Sequence, residues 1–170
     1  MKKYLLATMA VLMLATSALA LTVLNIIQFS GKGTASVAEL EQYEDGSITA
    51  NTVSSGSVIK DTDGNTRWVR ALITLRGTGT LDDALIPTRV SSLVWLVSRG
   101  ADCDVTLTDV SCTGRGGVEY GWGIPQVHGN ATLFVDSDSI ALSITDPVTG
   151  DVLANVEAPI TKFKVKSFVA

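Results

Sequence analysis

The chain has 170 residues, with 17 acidic and 13 basic side chains, one histidine, two cysteines and a net charge of −4. Apolar residues make up 46% of it, enough for the core of one domain. The acidic balance argues against a nucleic-acid partner, since phosphate binding needs clustered Lys and Arg. A single histidine argues against a hydrolase built on several imidazoles.

Residues 1–20 have the layout of a secretory signal peptide. Lys2 and Lys3 form a basic start, Tyr4 to Ala15 is almost wholly apolar, and Ser17-Ala18-Leu19-Ala20 offers small residues for cleavage after Ala20. The competing reading is a retained membrane helix, because Tyr4 to Phe29 is long enough to cross a bilayer of roughly 30 Å. Against it stand Asn25, Gln28 and the β-branched Thr22, Val23, Ile26 and Ile27. With cleavage the chain is secreted and touches a membrane only during export. Loss of Lys2 and Lys3 leaves 11 basic against 17 acidic residues, a charge of −6.

The next stretch, "LTVLNIIQFSGKG" over residues 21–33, reads as a strand on a flexible tether. In an extended chain Leu21, Val23, Ile27 and Phe29 face one way, while Leu24 and Ile26 face the other. Apolar groups on both faces suit a strand buried from two sides. Two destinations follow. The strand is the first of its own domain, or it leaves, hinging at Gly31 and Gly33, and fills a groove in the next molecule. The second is donor-strand complementation, a form of β-augmentation whose head-to-tail contact does not close and so builds a filament. Burial of some six apolar side chains at roughly 1.5–3 kcal/mol each would support such a joint.

Residues 34–170 read as one β-domain. Two short helical turns are candidates, "ASVAELEQYE" with Val37, Leu40 and Tyr43 inward, and "TLDDALIPT" ended by Pro87. "DTDGN" places Asp61, Asp63 and Asn65 at alternate positions, as at the start of an oxygen-ligand loop. Its glycine is fourth and its twelfth residue is Leu72, so the EF-hand pattern fails. A hairpin turn and a calcium ion shared between neighbouring subunits both stay open there. "RWVRALITLRG" alternates, with Val69, Ala71, Ile73 and Leu75 on one face and Arg70, Thr74 and Arg76 on the other. "SSLVWLVSRG" is denser, as in a strand covered on both sides.

Cys103 and Cys112 are the only cysteines, and in an exported chain an even pair reads as a disulfide. "CTGRGGVEYGWG" reads as a mobile surface loop; it lacks the spacing and following helix of a phosphate-binding turn. Asn130-Ala131-Thr132 is a sequon for N-glycosylation at Asn130. Lys162, Lys164 and Lys166, spaced by two, suit the wet face of an edge strand, with Phe163 and Val165 opposite. Carboxylate pairs such as Asp82-Asp83 and Asp136 with Asp138 read as turn residues, and no catalytic motif accompanies them. No enzyme activity and no cofactor are expected.

Short alternating segments with closely spaced turn signals predict an all-β fold, an antiparallel β-sandwich of jelly-roll type preceded by an extended N-terminal strand. The strand after the signal, "FSGKGTASV" and then "DGSITAN", with a weaker echo in "APITKFKVKSFVA", resembles the start of secreted archaeal filament subunits. These are the cannula proteins and the bundling pili, related to the TasA/camelysin biofilm-fibre family. The resemblance implies a sandwich whose strand Leu21 to Ser30 inserts into the neighbouring subunit, and a partner that is the chain itself, as a head-to-tail homopolymer. Cannula subunits are associated with calcium; this chain matches only in scattered Asp pairs. The expected function is thus a structural subunit of an extracellular filament. The alternatives are a secreted binding module for carbohydrate or adhesion, using Tyr120 and Trp122, and a membrane-tethered surface protein.

Overall fold

The computed structural model describes residues 23–38, 48–81, 86–121 and 126–169. The signal segment, Leu21, the sequence 39–47, Asp82-Asp83 and Trp122 lie outside these residues. Among the described residues ten strands carry the fold: β1 (Val23–Ala38), β2 (Ile48–Lys60), β3 (Thr66–Leu81), β4 (Ile86–Ser98), β5 (Asp102–Val105), β6 (Val110–Tyr120), β7 (Val127–Val135), β8 (Ser139–Thr145), β9 (Val152–Pro159) and β10 (Lys162–Val169). All pairings are antiparallel, in the order β10-β1-β2-β3-β4-β6-β7-β8-β9, and β1 also pairs β9. Eight strands, β1 to β4 and β6 to β9, therefore close on themselves. β5 is added beside β6, and β10 beside β1.

The all-β antiparallel expectation holds; the jelly roll does not. Every barrel neighbour is the next barrel strand in sequence, so the path is a closed meander without the crossovers of a jelly roll. Alternation tells which face of a strand is buried but not which strand it pairs, and this explains the difference. The described ends of the two helical candidates are strand, and residues 39–44 and 82–85 of them lie outside the described residues. Ala35–Ala38 belongs to β1, and Thr80, Leu81 and Ile86 to Thr88 belong to β3 and β4. Val37 does point inward, but from a strand.

Period-two patterning fills the barrel. Val69, Ala71, Ile73 and Leu75 of β3 face in, as do Val94 and Leu96 of β4, Leu133 and Val135 of β7, and Ile140, Leu142 and Ile144 of β8. Outward positions carry Lys32, Asn51, Arg70, Arg76 and Arg115. The same face also exposes Val53, Val97 and Phe134, while the interior is apolar, unlike the polar lumen of a membrane barrel. The denser β4 run also alternates. Leu93 and Trp95 are half-buried and Val97 is exposed, so the face opposite Val94 and Leu96 is not covered as a strand buried on both sides would be.

"CTGRGGVEY" is not a loop but most of β6, paired with β4, β5 and β7. Tyr120 consequently points into the barrel, 4% exposed. Cys103 and Cys112 face each other across β5 and β6 and form the expected disulfide, both buried. The ammonium of Lys60 donates to the Cys103 carbonyl and ties β5 to the end of β2.

Candidate functional site

The candidate assembly site is the slot that β1 occupies between β2 and β10. Residues 23–30 of β1 pair residues 169–162 of β10, while residues 25–37 pair residues 60–48 of β2. β1 is a central strand here, with ladder partners on both edges. Ile27 and Phe29 enter the core at 1% and 2% exposure, and Ile26 faces outward, half-buried. Phe29 sits opposite Gly56, where any Cβ would collide with its ring. The glycine on β2 thus makes the pocket that receives the aromatic side chain. Val23 and Leu24 pair Val169 and Phe168 through their backbones. At the surface the Ser167 hydroxyl donates to Asn25 Oδ1 at 2.6 Å.

Gly31 and Gly33 stand where β1 changes partner. Before them β1 pairs β10; after them, at Val37 and Ala38, it pairs β9. Pro159 ends β9 at this point, and Gly31 lies so close to it that a Cβ would meet the Pro159 carbonyl oxygen. Ser54 Oγ donates to that same oxygen at 3.4 Å, and Thr52 Oγ1 donates to the Gly33 carbonyl at 3.3 Å. Thr161 closes the junction, its N–H donating to the Ser30 carbonyl at 3.0 Å. The two expected hinge glycines therefore lie within a strand, not in a free tether. Their lack of a side chain serves close approach to Pro159. Sequence reading missed this junction, although the proline ending "VEAP" is a signal for a strand that stops.

The remaining candidate residues lie apart from the slot. Asp61 is buried, and its oxygens face donors. Oδ1 accepts the N–H groups of Asp63 at 3.0 Å and Asn65 at 2.8 Å, while Oδ2 meets Arg67 Nε at 2.8 Å. Burial pushes this carboxyl up, but the Asn65 hydrogen bonds, the Arg67 guanidinium and the Asp63 N–H together hold it below its ordinary value. Gly64 takes φ +80°, and its N–H donates to the Asp61 carbonyl, completing a hairpin turn between β2 and β3. Asp63 and Asn65 are exposed. This is a hairpin turn in which donors engage both oxygens of Asp61. Among the described residues no group of three His, Cys, Asp or Glu side chains could hold a metal ion.

Asn130 lies on the outward face of β7, exposed, as does Thr132 of its sequon. Lys162, Lys164 and Lys166 are exposed on β10, whose other edge pairs no strand among the described residues. Phe163 is half-buried against the core, and Val165 is 43% exposed. Of the aromatic pair considered for a binding module, Tyr120 is inside the barrel and Trp122 is outside the described residues. Sequence reading missed a different aromatic contact, Trp95 with His128, whose ring centroids lie 5.4 Å apart at 74° on the outer face. No family model, curated protein or solved structure matches the chain.

Proposed function

We propose that the chain is a structural subunit of an extracellular filament, exchanging the first half of β1 between copies. The carrying observation is the division of β1 at Gly31–Gly33. Residues 23–30 form a separable unit whose partners are the β2 and β10 backbones and the core around Phe29 and Gly56. Residues 31–37 continue the same β2 ladder without a break, and beyond Gly33 the second edge of the strand passes to β9 at Val37 and Ala38, so the division lies on the β10/β9 edge alone. A copy that contributed residues 23–30 to its neighbour would reproduce every contact of the slot at no loss of pairing, which is the physical condition for strand exchange. The slot could close within one chain or between chains with the same local contacts. The resemblance of residues 21–52 to secreted filament subunits favours the second arrangement. So does the apolar character of both faces of the leading strand. A disulfide suits an oxidising, extracellular setting, and an outer surface bearing lysines suits solubility of the free subunit.

Truncation tests it. A mature chain beginning at Gly31 should remain soluble, lose polymer formation in negative-stain images, and recover a stable fold when a peptide of residues 21–30 is added. Unaltered polymers from the truncated chain would contradict the proposal.

One observation favours a second reading. In the single chain the slot is filled by its own strand, as it would be in a monomeric secreted binding module. Sedimentation separates them: such a module stays monomeric at all concentrations.

A further inference from the structure

We propose that Asn130 carries an N-linked saccharide whose first sugar ring packs on the indole of Trp95. Three neighbouring strands bring this about. Trp95 of β4, Gly117 of β6 and His128 of β7 are directly paired across neighbouring strands. With no side chain on Gly117, the indole lies over that backbone; a Cβ there would stand only 2.8 Å from Cζ2. His128 meets the indole edge-on from the far side of the glycine. Two residues beyond His128, on the same outward face, stands Asn130, opposite Arg115.

Trp95, Arg115, His128 and Asn130, with Val97 and Pro147, line an outer-face depression of about 470 Å³. Clefts for small ligands span roughly 300–1,000 Å³ and combine apolar surface with a few polar groups. The depression fits that description, with an aromatic face, a guanidinium, an imidazole and an amide. The C–H face of a sugar ring suits the indole, and its hydroxyls suit Arg115 and His128. The occupant is the chain's own glycan because the attachment amide is itself part of the wall. Thr132, two positions on and equally exposed, completes the acceptor sequence.

The transfer balances simply. Asn130 Nδ2 loses a proton and forms the bond to sugar C1, while the C1–O bond to a lipid-linked oligosaccharide diphosphate breaks and lipid diphosphate leaves. The step belongs to the export route, so the proposal rests on residues 1–20 acting as a signal.

The test uses the protein isolated from its native cells. Peptide mapping reads the N-terminus and the mass on Asn130, and residue-resolved oxidation reads the reactivity of Trp95. Expected are chains beginning at Leu21, a saccharide mass on Asn130, and a several-fold rise in Trp95 oxidation after deglycosylation or in Asn130→Gln. Bare Asn130 on chains beginning at Leu21 overturns the proposal while leaving export intact. Chains retained in the cell with residues 1–20 uncut overturn the export reading and the proposal together. Equal Trp95 reactivity with and without the sugar overturns the packing. Protection of Trp95 in Asn130→Gln by added free oligosaccharide overturns it in favour of a lectin-like cleft.

Discussion

Phe29 and Gly56 show how much one residue pair can decide. The ring fills the space that a side chain on β2 would take, so the two positions are coupled by shape. Phe29→Ala should cost about 3–5 kcal/mol, as large-to-small core changes do. Gly56→Ala should destabilise too, by pushing a methyl into the ring. Denaturant unfolding of each single variant and of the double variant checks the coupling: the double should cost less than the sum of the singles. The turn aspartates act differently. The Asp138 and Ser139 N–H groups hold the Asp136 carboxyl below its ordinary value, and the Thr149 and Val148 N–H groups do the same for Asp146. Asp61 is lowered as well. A carboxyl depressed in the folded state binds its proton more readily when unfolded. Its stabilisation is therefore complete above the unfolded value of about 3.9, and disappears as pH falls through the folded value. Stability should be flat near neutrality and decline below about pH 4. Asp146→Asn should shallow that acid decline, as read by thermal unfolding between neutral and acid pH.

Among the elements, β5 and β6 depend on their cross-link and β1 on its junction. Reducing Cys103–Cys112, or replacing both residues with serine, should cost roughly 2–3 kcal/mol, given the short loop that the bond closes. A thermal midpoint unmoved by reductant would contradict this. At the junction, Gly31→Val would drive a branched side chain into Pro159 and Ser54. It should weaken seating of residues 23–30 whether the slot is filled from within or from a neighbour. The individual strands were legible in the sequence because burial alternates wherever one face is wet: Val69 to Leu75 is the clearest case. β6 was not, because Gly114, Gly116 and Gly117 remove the side chains through which alternation is read, leaving a pattern that looks like a loop. The sandwich expectation missed the closed meander for a related reason. A strand's face follows from its own residues, whereas its partners follow from the whole chain. The disulfide was legible from an even cysteine count together with the export layout of residues 1–20. The Trp95–His128 contact was not, since 33 positions separate the residues and nothing local links them.

For the whole molecule, the barrel closes on β1 at its end, through β9, while β10 lies beside its first half as an added strand. This makes the leading strand both the keystone of the monomer and the natural element to exchange. Its place in the fold is the same in both cases, and only the identity of the chain that supplies it differs. Ser30 and Ser55 face each other across β1 and β2 and lie at the edge of the exchanged segment. Cysteines introduced at both positions, cross-linked in assembled protein and separated on a denaturing gel, report which chain supplied the strand. The filament proposal predicts a ladder of covalently joined chains. Cross-links confined to single chains, at every protein concentration, would contradict it.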